Sequence, residues 1–236
     1  MTITYYPHVV QGSDEWLAQR CGMLTASEMH LILTPTLKVA KNEKTRLHMY
    51  ELLAQRITQY VEPRYVSDDM LRGQDDELEA RQWYSDNVAP VTECGFVTRQ
   101  FPAFFGDFEV GYSPDGLVGE DGLLECKSRR QKYQIQTFVE WRSGNTIPDD
   151  YLLQCQTGLY VTQRKWLDLI SWSGGLPPCV MRVHPVPAVQ SAIAKAVDDF
   201  ESQLSEMRRV YELATNGLQP TKRRIVQEMF VGQQEE

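Results

Sequence analysis

The chain has 236 residues and a formal net charge of −8, with 42% apolar and 24% charged residues. That length suits one domain with a substantial core, and the composition is that of an ordinary soluble globular protein. The acid surplus excludes a protein that coats nucleic acid with its whole surface, but it leaves room for a basic channel within an acidic exterior. No apolar run is long enough to span a membrane and no charged-then-apolar leader is seen, so neither an anchor nor a leader is expected. Cys21, Cys94, Cys126, Cys155 and Cys179 are scattered and form no C-x-x-C pair. They read as reduced, mostly buried side chains of a cytoplasmic protein. The histidines are equally dispersed, so a zinc site is not expected.

Along the chain, Ser13-Asp14 caps a helix that Gly22 ends. Thr25 caps a second helix over 26–33, with Glu28 completing a capping box. A third runs from Asn42 or Lys44 to Tyr60, with Leu47, Tyr50, Leu53 and Ile57 as its apolar stripe. A fourth starts at Asp68-Asp69 and reaches about Asn87, its stripe including Leu71, Leu78 and Trp83. Strand patterns follow over 92–100 and 107–112. A hairpin over 113–127 is next, then helices over 132–141 and 149–161, the latter behind Pro148. Strands over 165–173 and 179–184 flank a Gly-Pro turn. A long helix from Pro187 to about Thr215 carries Ile193, Val197, Phe200, Leu204 and Met207 at helical spacing. This order predicts an α/β fold, a central mixed β-sheet flanked by helices, over 1–217. Residues 218–236 read as a polar C-terminal tail.

The densest chemistry lies in Ser113-Pro114-Asp115-Gly116-Leu117 and Leu123-Leu124-Glu125-Cys126-Lys127. Asp115 sits at a turn beside Pro114 and Gly116. A second turn over 119–122 leads into a short strand, where alternation puts Glu125 and Lys127 on one face and Cys126 on the other. Carboxylate oxygens suit Mg²⁺, and a lysine beside them can hold or deprotonate a metal-bound water. The arrangement resembles that of a PD-(D/E)XK nuclease. Taken alone it is equally a common turn and a solvated strand face. Arg129, Arg130, Lys132 and Arg142 follow against Glu140 alone, a local positive surplus suited to phosphate.

Three further groups fit such a site. Glu77 lies in Gly73-x-x-x-Glu77-x-x-Ala80-Arg81, where small residues let a helix approach a sheet. Without that context it is one more surface carboxylate. Gln154 and Gln156 lie among apolar residues, and a buried amide without partners costs about 1–3 kcal/mol. They serve either structure or a site. Arg20 and Ser27 stand near a helix start and suit a phosphate, or serve as a rim ion pair and a cap.

Five ordered blocks then carry a resemblance. They are Trp16 … Arg20-x-Gly22-x-x-Thr25-Ala26-Ser27-Glu28, the Gly73 block, Ser113 to Leu117, Leu124-Glu125-Cys126-Lys127, and Gln154-x-Gln156 with Val161-Thr162. Together the chain resembles the phage lambda exonuclease type of alkaline exonuclease, the YqaJ viral recombinase family, from about Gln11 to about Thr162. The resemblance implies a restriction-endonuclease-like PD-(D/E)XK core. It implies that Asp115, Glu125 and the backbone carbonyl of Cys126 ligate Mg²⁺, two ions per site, with Mn²⁺ able to substitute. Lys127 would position and help deprotonate the attacking water, Glu77 would hold metal-bound waters, and Gln154 would contact the water or the phosphate. Arg20 and Ser27 would bind the 5′-phosphate of the DNA end, and Met70 matches the family's strand-separating wedge.

The activity so implied is 5′→3′ exonucleolytic degradation of linear double-stranded DNA. It would release 5′-mononucleotides and leave a 3′ single strand for recombination by strand annealing. A homotrimeric ring and a single-strand annealing protein as partner are implied with it. The alternatives are a structure-specific endonuclease of the same fold and a non-catalytic module that binds DNA ends or a recombinase. Cys126 replaces a more typical aliphatic residue, and Ser128 stands where a Cys-Pro pair is frequent. A carbonyl ligand does not depend on its side chain, so ligation is expected to survive.

Overall fold

Capping chemistry places the early helices. Ser13 accepts from the Trp16 N–H at 3.2 Å and starts α1 (Asp14–Arg20). Asn42 accepts from Thr45 at 3.1 Å and starts α2 (Glu43–Thr58). Ser67 does the same for Met70 at the head of α3 (Asp68–Asn87). In this computed structural model the described residues are 2–63, 67–102, 107–144 and 146–223. The expected polar tail, from residue 224 on, lies outside them.

The strands fall into two mixed sheets rather than one. The first holds β1 (Ile3–Tyr6), β4 (Phe96–Phe101), β5 (Phe108–Tyr112) and β2 (Leu24–Thr25), in that order. The second has the order β3 (Val91–Thr92), β6 (Gly116–Val118), β7 (Gly122–Ser128), β8 (Trp166–Trp172) and β9 (Cys179–Val183). Ser113, Pro114 and Asp115 carry the chain from β5 in the first sheet to β6 in the second. β7 and β8 run parallel, paired from Gly122↔Trp166 to Ser128↔Trp172. The connection between them contains α4 (Gln131–Gly144) and α5 (Asp149–Thr162), and α6 (Pro187–Ala214) closes the order. β6 pairs with β7 only as far as Gly116↔Leu124. Beyond Leu124 that edge of β7 is open, which decides the site.

α5 packs into the main core through Leu153, Cys155, Leu159 and Val161, beside Ile193, Val197, Phe200 and Leu204 of α6. On the other face of the second sheet, Ala80 and Tyr84 of α3 pack with Val118, Leu124, Cys126 and Ile170. Arg56 of α2 grips Glu201 of α6 with two bonds of 2.7 Å and donates to the Gly22 carbonyl at 2.6 Å.

The element boundaries and the helix faces show where pattern reading goes astray. Residues 26–33 form a 3-10 helix ending at Leu31, not an α-helix; its capping box is present. β1 and β2 are too short to read from alternation, and β2 exists through parallel pairing with β5. In α2, Leu47, Tyr50 and Ile57 face solvent, while His48, Met49, Leu52 and Leu53 are buried. In α3, Leu71 and Leu78 are exposed and Ala80 and Tyr84 turn inward. A polar contact fixes that rotation: the Tyr84 hydroxyl donates to Asp168 at 2.6 Å, and Arg182 clamps the same carboxylate at 2.8 Å. Gly73 has open space where a Cβ would stand, so Ala80 alone permits the close approach of α3 to the sheet.

Gly158 of α5 is pressed against the buried Tyr112 ring, where a Cβ would lie 2.7 Å from Cζ. Gly158→Ala is expected to destabilise the protein by about 1–3 kcal/mol through overpacking, read as a lower denaturant midpoint with an unchanged m-value. An unchanged midpoint would show that the α5–β5 contact gives way freely.

Candidate active site

Asp115 and Glu125 reach one cavity of about 180 Å³ although they come from different local structures. Asp115 sits in the crossover just before β6. Its carboxylate lies along the open edge of β7, where Oδ2 accepts from the Cys126 N–H at 2.5 Å. The N–H and C=O of one strand residue leave the same edge, so the Cys126 carbonyl is directed to the Asp115 side as well. Glu125, mid-strand on β7, is only 1% exposed. Its Oε1 accepts from Lys127 Nζ at 2.7 Å and from Gln154 Nε2 at 2.5 Å, and its Oε2 accepts from the Tyr112 hydroxyl at 2.7 Å. Glu77 of α3 reaches the same cavity and is paired with Arg81 at 3.6 Å. Arg81 also donates to the Asp115 carbonyl at 3.2 Å.

Arg20 and Ser27 line this cavity too. Arg20 stacks 4.4 Å from the Trp16 ring centroid and donates to Ser113 at 3.3 Å and Thr25 at 3.0 Å. Trp16 holds Ser113 at 2.9 Å, and Gln11 holds the Pro114 carbonyl at 3.0 Å. The phosphate-suited residues are thereby tied to the segment that carries Asp115.

The electrostatics are lopsided. Burial first, then Glu125 and Glu77, push the Asp115 carboxyl well above the ordinary carboxylate range. Burial and Glu125 also raise Glu77, with Arg81 pulling the other way. Burial opposes the charge on Lys127, but Glu125 and Asp115 outweigh it and hold the ammonium above its usual value.

The remaining candidates lie elsewhere. Gln156 serves structure: it donates to the His184 carbonyl at 2.8 Å and accepts from the Val186 N–H at 2.9 Å. Arg129 is beside the cavity, between Tyr133 and Tyr151. Arg130 points outward and pairs with Asp69 at 3.1 Å. Met70 is 52% exposed on the first turn of α3, away from the cavity lining. Sequence reading assigned no role to Tyr112, Ser113, Trp16, Arg81 or Gln11. Tyr112 carried a signal, being the last residue of a strand that runs into the Asp115 turn; the others act through contacts that spacing does not show.

Among the described residues no three His, Cys, Asp or Glu side chains form a metal cage. Two carboxylates and a carbonyl are nevertheless a donor set suited to Mg²⁺, which keeps most of its waters and is completed by substrate phosphates. Crowded acids with one lysine between them fit a divalent cation.

Fold and cavity define the class: a mixed α/β domain of the PD-(D/E)XK type, with one acid in the turn before β6 and a second acid and the lysine on β7. The model of the YqaJ-like viral recombinase domain matches residues 15–165, and the chain belongs to that family. The chain is similar to LHK-Exo, an alkaline exonuclease from Laribacter hongkongensis: 28% identity over 86% of this chain and 100% of that one, TM-score 0.66. In its complex with dAMP the figures are 29%, 86%, 98% and 0.69. A phage related exonuclease from Haemophilus somnus 129PT, at 9% identity over 81% of this chain and 96% of its own with TM-score 0.58, shares the fold alone. No curated protein matches. The chain is a nuclease of the YqaJ family.

The raised Asp115 fixes a sign. The folded state holds a proton that the unfolded chain releases, so stability falls as pH climbs from the ordinary carboxylate range towards the raised value. Asp115→Asn keeps an oxygen for the Cys126 N–H but removes the charge. In chelator near neutral pH its melting temperature is expected to exceed that of the parent, with a flatter pH profile and no Mg²⁺-induced rise. An Asp115→Asn variant that melts at or below the parent temperature would contradict the electrostatic account.

Proposed function

We propose that this chain is a Mg²⁺-dependent 5′→3′ exonuclease of double-stranded DNA. It acts on linear ends, releases 5′-mononucleotides and leaves a 3′ single strand for a single-strand annealing protein. The observation that carries the reading is the shared cavity: Asp115, Glu125, Glu77, Lys127 and Gln154 line it together with Arg20 and Ser27. A site for hydrolysis thus adjoins a site for a terminal phosphate. LHK-Exo bound to dAMP, a mononucleotide, supports the assigned product. The homotrimeric ring belongs to the same proposal and rests on the family resemblance.

In this reading Asp115, Glu125 and the Cys126 carbonyl would hold the metal. When bound, divalent ions supply charge stabilisation for the phosphate and a more acidic water. Lys127, kept charged by its carboxylate neighbours, would orient the attacking water by hydrogen bonding. As an ammonium it has no lone pair with which to take that water's proton, contrary to the deprotonating role the family resemblance implied. Gln154 holds Glu125 in place and presents its amide to the reacting water. Glu77, which lines the same cavity, would order waters there. Arg20 and Ser27 hold the 5′-phosphate, so the bond presented for cleavage is the one next to the end.

Linear duplex labelled at the 5′ or the 3′ end of one strand tests this directly. Early release of 5′-mononucleotides in Mg²⁺, resistance of a covalently closed circle, and loss of activity in Glu125→Ala are expected. Cutting of the circle would favour an endonuclease of the same fold, and unaltered activity in Glu125→Ala would remove that residue from the metal site.

Arg20→Ala is expected to abolish the preference for 5′-phosphorylated over 5′-hydroxyl ends while turnover on 5′-hydroxyl ends changes little. Equal preference before and after would return Arg20 to a structural role.

A further inference from the structure

β7 and the residues after it present Glu125, Lys127 and Arg129 on one face, at alternate positions. Arg129 keeps the strand register, because its N–H donates to the Trp172 carbonyl at 2.7 Å, one step past the last β7–β8 pair. α5 lies over that face and supplies partners from Tyr151 and Gln154, three residues apart and so neighbours on the helix. Gln154 takes Glu125. Tyr151 takes both cations: Lys127 Nζ stands 5.5 Å and Arg129 Cζ 5.3 Å from its ring centroid. The Tyr151 hydroxyl also accepts from Arg129 Nη1 at 3.0 Å. Tyr133 supplies a second ring, 5.2 Å from the Arg129 guanidinium.

Two neighbouring arginines are engaged differently, whereas Lys132 also stands over the Tyr133 ring, 4.6 Å from its centroid. Arg72 and Arg130 are both spent on Asp69, at 2.8 and 3.1 Å. Arg129 has no carboxylate partner among the described residues; rings and a hydroxyl hold it. Aromatic faces fix a guanidinium without cancelling its charge. Arg129 is therefore oriented yet still able to take an anion, immediately beside the cavity that contains Lys127.

We propose that Tyr151 is a positioning residue that couples the two: its ring sets Lys127 for the chemical step, and its ring and hydroxyl set Arg129 to bind a backbone phosphate of the nucleic-acid strand beside the scissile one. The proposal rests on the nuclease reading above. It adds a phosphate subsite and a residue that ties binding to turnover.

Steady-state cleavage of linear duplex by the full-length protein tests it, with melting temperature as the check on folding. Tyr151→Phe keeps the ring and is expected to raise KM severalfold with the effect on kcat under twofold. Tyr151→Leu removes the ring and is expected to lower kcat about tenfold as well. Arg129→Gln is expected to raise KM and to reduce the slope of log affinity against log salt by about one, measured by duplex binding in chelator. Adding Tyr151→Phe to Arg129→Gln is expected to raise KM no further. Equal kcat in the Phe and Leu variants overturns the coupling to Lys127, and an unchanged salt slope in Arg129→Gln overturns the phosphate subsite. Should the parent protein bind duplex but not cut it, the nuclease reading falls while the salt slope still judges Arg129.

Discussion

Glu125 is a carboxylate taken almost wholly out of water in the middle of a parallel strand pair, and three donors from three places satisfy it. Tyr112 comes from the end of β5, Gln154 from α5 and Lys127 from its own strand. Losing one donor from such a group costs about 1–3 kcal/mol, more where charge is involved. The first sheet, the second sheet and the helix over them are therefore joined at a single side chain. The tight seat of Gly158 on Tyr112 is part of the same junction, because it lets α5 come near enough for Gln154 to reach Glu125.

The second constraint is charge. Asp115, Glu125 and Glu77 share one cavity in which Lys127 is the inner counter-charge and Arg81 the outer one. Like charges brought together in a dry site resist ionisation, and the raised Asp115 and Glu77 carboxyls register that resistance. A fold under selection for stability alone would not assemble them, and such crowding is characteristic of working sites. A nuclease must also draw a polyanion to this acidic place. In the proposed reading the cations that do so are Arg20, which lines the cavity, and Arg129, which shares the Tyr151 ring with Lys127. The net charge of −8 is thus no obstacle, since distribution rather than total charge governs the approach.

Much of this was legible in the sequence because it is local. Turn chemistry at Pro114-Asp115-Gly116, alternation along Leu123 to Lys127 and capping at Ser13, Thr25 and Asn42 each depend on residues a few positions apart. The family resemblance drew Glu77 and Gln154 to the same place across larger gaps. What escaped is set by distant partners. The inward turn of Tyr84 depends on Asp168 and Arg182, and no pattern within α3 announces them. The exposed Leu71 and Leu78 mimic a core stripe, because periodicity reports a face and not what covers it. The split into two sheets is likewise invisible in strand patterns, which do not say with whom a strand pairs. Gln154 and Gln156 show the same limit within one turn of helix: alike in sequence, one turns to a carboxylate and the other to two backbone groups.

The two halves of the site differ in how firmly they are built. The acids and Lys127 stand on or beside β7, in the centre of the second sheet, with core on both faces. Arg20 stands on α1, which buries none of its residues, whereas Ser27 stands on a short 3-10 helix whose Ala26 and Met29 belong to the main core. The α1 segment is held by discrete ties: Trp16 to Ser113, Gln11 to Pro114, and the Gly22 turn to Gln55 and Arg56 of α2. Elements with few buried contacts open at lower free energy than core strands. On the side proposed to hold the terminal phosphate, Arg20 therefore sits on an element that opens more readily than β7, while Ser27 sits on one anchored in the core. In the proposed exonuclease reading, the arginine for the phosphate thus stands on a yielding element, and the Ser27 hydroxyl, the acids and the lysine stand on a rigid frame.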